Sequence, residues 1–106
     1  PGWSSSTGEA DWGLRPLFAG DKTPPSMYNI SYYKNPTVDA DIMKALGTTD
    51  RAEKTKLYTE VQEEIWKDAP WAFLVTEKLL YATSKKLTGM YVMPDANYFF
   101  EEIDLQ

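Results

Sequence analysis

Neither cysteine nor histidine occurs in these 106 residues. Their absence removes thiol nucleophiles, triads built on an imidazole base, disulfides, and zinc sites of the usual ligand set. A chain without cysteine suits an oxidising compartment as well as a reducing one, so the redox context stays open. Basic residues are in the minority: 11 Lys and Arg against 16 Asp and Glu leave a net charge of −5. Phosphate is bound by a basic face, and none is visible, which argues against nucleic acid as a partner. No apolar run approaches the roughly 20 residues of a membrane span. The chain starts at Pro1 rather than at Met, as expected of a processed protein or of a piece of a longer one.

What is present is ordinary in amount and uneven in placement. Apolar residues make up 42% and aromatic residues 14%, too much ring surface for disorder throughout. The length allows one small domain at most. Residues 1–35 are rich in Gly, Ser, Pro, Asn and Thr. Only Ala10 to Ala19 has the composition of a short helix, limited by Pro16. "GDKTPPSMYN" reads as a loop, because Pro24 and Pro25 fix φ and lack donors.

The middle reads as two helices. Asn35-Pro36 resembles an N-cap with Pro at the first helical position, and Val38, Ile42 and Ala45-Leu46 share a face up to the stop at Gly47. Asp50-Arg51-Ala52-Glu53 matches a capping box. Leu57, Val61 and Ile65 then recur every four residues, joined by Tyr58 and Trp66, until about Asp68 before Pro70. Beyond Pro70, "WAFLVT", "LLYATS" and "LTGMYVM" are short apolar runs that read as strands buried on both faces, and "NYFFEEIDLQ" adds a last strand. Two amphipathic helices cannot cover three such strands. An α/β architecture of loop, two helices and strands, forming part of a larger protein, is the expectation.

Chemistry-bearing patterns are few. Glu63/Glu64 and Glu101/Glu102 are adjacent acids that do not face each other across a substrate, so they read as solvated faces. Asp39-Ala40-Asp41 lacks the glycine and terminal glutamate of a calcium loop. Gly8, Gly13 and Gly20 do not have phosphate-loop spacing. Trp66 and Trp71 read as core residues. No metal, cofactor or catalytic residue is expected, and no enzyme activity.

The opening "PGWSSSTGEADW" differs. Flat rings at Trp3 and Trp12 flank small donors and acceptors at Ser4, Ser5, Ser6 and Thr7, with acids at Glu9 and Asp11. Ligand pockets combine aromatic walls with a few orienting polar groups in this way. A surface turn whose hydroxyls cap the helix from Ala10, with Trp3 merely packed, accounts for the same residues. On the residues alone the two readings stand level.

Tyr33-x-Asn35-Pro36-x-Val38-Asp39, Thr49-Asp50-x-Ala52-Glu53-x-x-x-Leu57-Tyr58, Ile65-Trp66-x-Asp68-Ala69-Pro70-Trp71 and Leu87-x-Gly89-x-Tyr91-Val92-Met93-Pro94-Asp95 follow one another in order. Together they resemble the C-terminal part of the family-5 periplasmic solute-binding proteins, receptors of ABC importers for dipeptides, oligopeptides, nickel or glutathione. The likeness covers essentially the whole chain. With "STGEADW" and the ending "DLQ", it is strongest towards the glutathione-binding members.

The resemblance implies a periplasmic C-terminal fragment of a two-lobed (type II) binding protein. Residues 1–76 would belong to the C-terminal lobe, and 77–106 would form a hinge crossover returning to the N-terminal lobe. It implies a short peptide ligand such as glutathione, with ABC permease subunits and the remainder of the polypeptide as partners. It also implies a ligand-binding set of Trp3, Ser4, Ser5, Ser6, Thr7 and Asp11. Peptide receptors of the family show Trp-x-x-Asp, whose Asp pairs with the peptide's α-ammonium. Here Trp3 matches the Trp, but Ser6 stands at the Asp. That departure argues against ordinary α-amine recognition and suits a γ-linked glutamyl peptide, with Asp11 or Glu9 free for the displaced ammonium. An autonomous interaction module using the aromatic loop is the other expectation. As a fragment, the chain is also expected to dimerise or exchange strands through open sheet edges.

Overall fold

Two helices packed side by side form the frame of the first of two units. A computed structural model of the chain describes residues 3–76, 78–93 and 97–106, and divides it into Pro1–Phe73 and Leu74–Gln106. Pro1 and Gly2 of the opening stretch, Glu77 at the expected boundary, and Pro94 and Asp95 of the last motif lie outside the described residues.

In the first unit, α1 spans Ala10–Phe18, α2 Pro36–Gly47 and α3 Arg51–Asp68. The start of α2 is set by Asn35, whose side chain accepts from the amides of Thr37 and Val38, with Pro36 placed where its missing N–H costs nothing. Asp50 likewise accepts from Ala52 and Glu53 to start α3. The reciprocal half of the expected capping box is not formed. Glu53 instead accepts from the Thr48 hydroxyl at 3.0 Å and pairs with Lys44 at 3.2 Å, tying the end of α2 to the start of α3. The Thr48 bond, then Lys44, holds the Glu53 carboxyl below its usual range. Ala69 closes α3 in the left-handed conformation (φ 46°) just before Pro70.

Val38, Ile42, Val61 and Ile65 interdigitate between α2 and α3, and Leu17, Phe18 and Ala19 from the end of α1 complete the core. Trp71 packs half-buried against that core. Ala45, Leu57 and Tyr58 form a second cluster, covered by Leu14. Trp66, expected in the core, is 68% exposed and stacks on Phe73. One helical face explains both outcomes: Tyr58 is roofed by Leu14 of α1, whereas Trp66, two turns further on, stacks on Phe73 and stays exposed.

The segment between α1 and α2 is ordered around Asn29, which is fully buried. Its amide donates to the carbonyls of Ala19 and Tyr33, and its oxygen accepts from Ser31 Oγ and the Tyr33 amide. Asp39 reaches back from α2 to accept from the Gly20 amide at 2.7 Å. The Pro24-Pro25 bond is cis.

The second unit holds two short antiparallel pairs. In one, β1 (Leu87–Thr88) lies beside β4 (Asp104–Leu105); in the other, β2 (Tyr91–Val92) lies beside β3 (Tyr98–Phe99). Gly89, at φ 75°, joins β1 to β2 where a Cβ would fall 1.8 Å from the Glu102 carbonyl oxygen, a close approach only glycine permits. "LTGMYVM" and "NYFFEEIDLQ" thus pair as fragments of strand. "WAFLVT" and "LLYATS" do not form strands among the described residues, and apart from half-buried Trp71 they are exposed: Leu74 is 85% and Leu80 87% exposed. A strand needs a neighbour for its alternate amides and carbonyls, and these segments have no ladder partner. The architecture is therefore three helices followed by short antiparallel pairs.

Candidate functional site

The segment 3–12 turns on two hydroxyls and one indole. Ser5 Oγ donates to the Glu9 carbonyl at 2.8 Å and lies 3.4 Å from Thr7 Oγ1, which accepts from the Glu9 amide at 3.2 Å. The Gly8 amide donates to the Ser5 carbonyl, with Gly8 at φ 69°. Small hydroxyl residues favour such local bonds over regular structure. Glu9 occupies the N-cap of α1, but its side chain makes no capping bond. Ser5 and Thr7 therefore build the turn.

Trp3 is held differently. Its indole N–H donates to the Trp12 carbonyl at 2.9 Å, and its ring lies 5.1 Å from Tyr28 and 6.2 Å from Trp12. These three rings make a small aromatic wall on which Trp3 remains 37% exposed. Ser4 and Ser6 are exposed beside it, and their hydroxyls take no hydrogen-bond partner among the described residues. Asp11 is engaged elsewhere. The Arg15 guanidinium grips it with bonds of 2.8 to 3.0 Å, one helical turn on. Asp11 also lies against the Tyr58 hydroxyl, which is pushed up to about 12, first by burial and then by the Asp11 charge.

Of the six residues expected to bind ligand, the structure gathers Trp3, Ser4 and Ser6 as an open ring with two free hydroxyls. Ser5 and Thr7 are internal to the turn, and Asp11 is neutralised by Arg15. An open cleft of about 610 Å³ is lined by Gly8, Glu9 and Ala10 together with Thr49, Arg51, Lys54 and Tyr58. None of the six lines it. Tyr28, the third ring, was not legible in the sequence, since it sits in a stretch whose only local signal is proline. A further contact joins two motifs: Asp68 at the end of α3 accepts from the Tyr33 hydroxyl at 2.6 Å and from the Asn35 amide at 2.9 Å. Burial and then this bond push the Tyr33 hydroxyl up to about 12. The Tyr33 bond, followed by that of Asn35, keeps the Asp68 carboxyl low. No group of three or more metal-ligating side chains occurs among the described residues.

No family model matches the chain. Over 104 residues, 98% of the chain, it is 61% identical to the glutathione-binding protein GsiB of Pectobacterium atrosepticum. Over 105 residues, 99% of the chain, it is 53% identical to the proteins of that name from Escherichia coli (strain K12) and Salmonella typhimurium. In each comparison the match spans 20% of the relative's length. The chain is thus homologous to one part, the C-terminal part, of a much longer protein.

Proposed function

We propose that this chain is the C-terminal portion of a two-lobed periplasmic receptor of the family-5 type, which binds glutathione or a similar short peptide and delivers it to an ABC permease. The observation that carries this reading is the 61% identity maintained over 98% of the chain to a glutathione-binding protein. No reaction is catalysed. Residues 1–76 would sit in one lobe and 77–106 would cross back to the other, so that binding energy comes from enclosing the peptide as the lobes close.

Trp3 is the wall against which the peptide lies, and the hydroxyls of Ser4 and Ser6 are free to bond its carboxylate or peptide carbonyls. Serine at position 6 removes the anion that would meet an α-ammonium in ordinary peptide receptors. With Asp11 already bound to Arg15, Glu9, whose side chain makes no capping bond, is the carboxylate of this segment left for the ligand's ammonium.

Two substitutions in the full-length protein test the assignment. Trp3→Ala should weaken glutathione binding by about a hundredfold, as loss of a central aromatic contact does. Ser6→Asp should weaken glutathione and strengthen peptides with a free α-amine. Unchanged glutathione affinity in both variants would remove the segment from the ligand site.

A further inference from the structure

The geometry points to Pro16 as the positioning residue for Trp3, a reading that deepens the proposed function and rests on Trp3 being the ligand-facing wall. In an α-helix each amide donates to the carbonyl four residues earlier. Pro16 lies inside α1, four residues after Trp12, and has no amide proton to give. The Trp12 carbonyl is therefore left open within a formed helix. It is filled from outside by the Trp3 indole N–H at 2.9 Å, from nine positions earlier in the sequence. Indole nitrogen is a donor only and is the single polar atom of that side chain. One bond at that atom, with Tyr28 at 5.1 Å across the ring, fixes the plane of Trp3.

Pro16 places the second ring too. Its carbonyl accepts the Tyr28 amide at 3.1 Å. The helical partner of that carbonyl would be the Gly20 amide, which Asp39 takes instead at 2.7 Å. The missing donor of Pro16 thus sets Trp3, and its acceptor sets Tyr28. Pro16 is itself fully buried, so this arrangement is anchored in the core and does not depend on the exposed turn. The consequence is a wall assembled before any ligand arrives, which reduces the ordering that binding would otherwise require.

The test uses the full-length protein labelled at its tryptophans, with the Trp3 indole resonance assigned through Trp3→Phe. In the unaltered protein that indole N–H should be protected from exchange with solvent. An unprotected Trp3 indole overturns the proposal whether or not any variant folds. Pro16→Ala supplies the amide that closes the helical bond to Trp12. It should lower Trp3 indole protection by about tenfold, the size of one neutral hydrogen bond, while the Trp66 and Trp71 resonances stay in place. Retained protection in Pro16→Ala overturns the proposal. Glutathione affinity should fall several-fold in Pro16→Ala, and Pro16→Ala added to Trp3→Phe should cost no more than Trp3→Phe alone. Additive losses would place Pro16 in a role independent of the ring. Trp3→Ala separates the two readings: if it leaves glutathione affinity intact while indole protection responds to Pro16, the ligand assignment fails and the positioning of the ring stands.

Discussion

Asn29 is the residue on which the least regular part of the first unit depends. All four of its side-chain hydrogen-bonding positions are filled at zero exposure. Replacing it with Leu, a bulkier side chain of the same branching, strips the Tyr33 carbonyl and amide of their side-chain partner and leaves the Ala19 carbonyl only the Lys22 amide. Urea unfolding should show a loss of about 3 kcal/mol, within the range for buried polar groups deprived of their bonds. Ala69 is the opposite case. It holds a left-handed backbone with a Cβ that resists it, so Ala69→Gly should raise stability by about 0.5–1 kcal/mol in the same measurement. The sequence assigned neither residue a structural role. Asn29 stands among prolines and tyrosines, where asparagine more often turns an exposed loop, and its burial is decided by α1 and α2 closing over it. The caps were legible because they are local: Asn35 and Asp50 act on amides two and three residues away. Ser6 was legible as a departure from a pattern. The pairing of Asp11 with Arg15, one turn on along the same helix, was not read from the sequence.

Between elements, the contact that locks α2 to α3 is made by Tyr33, Asn35 and Asp68 rather than by the core alone. It sets two limits on stability with pH. Tyr33 has a folded-state value raised from 10.0 to about 12, so its contribution is complete below pH 10 and is lost as pH rises from 10 to 12. Asp68 is shifted downward, so its contribution is present above the ordinary carboxylate range and is lost as pH falls through its lowered value. Tyr33→Phe should therefore lose less stability than the parent between pH 10 and 12, by circular-dichroism melts at stepped pH. Equal losses would contradict the assignment, since the raised Tyr58 is present in both proteins. Helix boundaries followed from caps and prolines, and the buried stripe of Leu57, Val61 and Ile65 followed from period. Trp66 did not follow that stripe, because whether the flank of a stripe is covered depends on how far the neighbouring helix extends. The strands failed for a related reason. "WAFLVT" and "LLYATS" have strand composition, but composition supplies no partner, and a ladder exists only where a second segment lies alongside. Gly89→Ala should break what pairing there is around β1 and β4, read as lost amide protection at Gln106, whose amide donates to the Lys86 carbonyl. The Cβ has no room beside the Glu102 carbonyl, and backbone on both sides cannot yield as a side chain would.

At the scale of the molecule, the chain is two units with unequal means of support. The first has a core drawn from three helices, whereas the second carries two-residue strands and large exposed apolar side chains such as Leu74, Val75 and Leu80. Such a surface is what remains when a sheet's neighbours belong to a longer protein, and the relatives are longer by the remaining 80% of their length. The resemblance in the motifs carried the functional reading further than composition did, because composition could exclude thiol, imidazole and zinc chemistry but could not name a ligand. The proposed receptor site of Trp3 and the serines beside it is one for a γ-linked glutamyl peptide. It is tested most directly by titration calorimetry of the full-length protein with glutathione and with its α-linked isomer Glu-Cys-Gly. The two ligands share every atom type and differ in where the ammonium and carboxylate stand. Glutathione should bind, and the α-linked isomer should bind at least about tenfold more weakly, a difference of about 1.4 kcal/mol. Equal or tighter binding of the α-linked isomer, or heat from ordinary dipeptides with none from glutathione, would contradict the account.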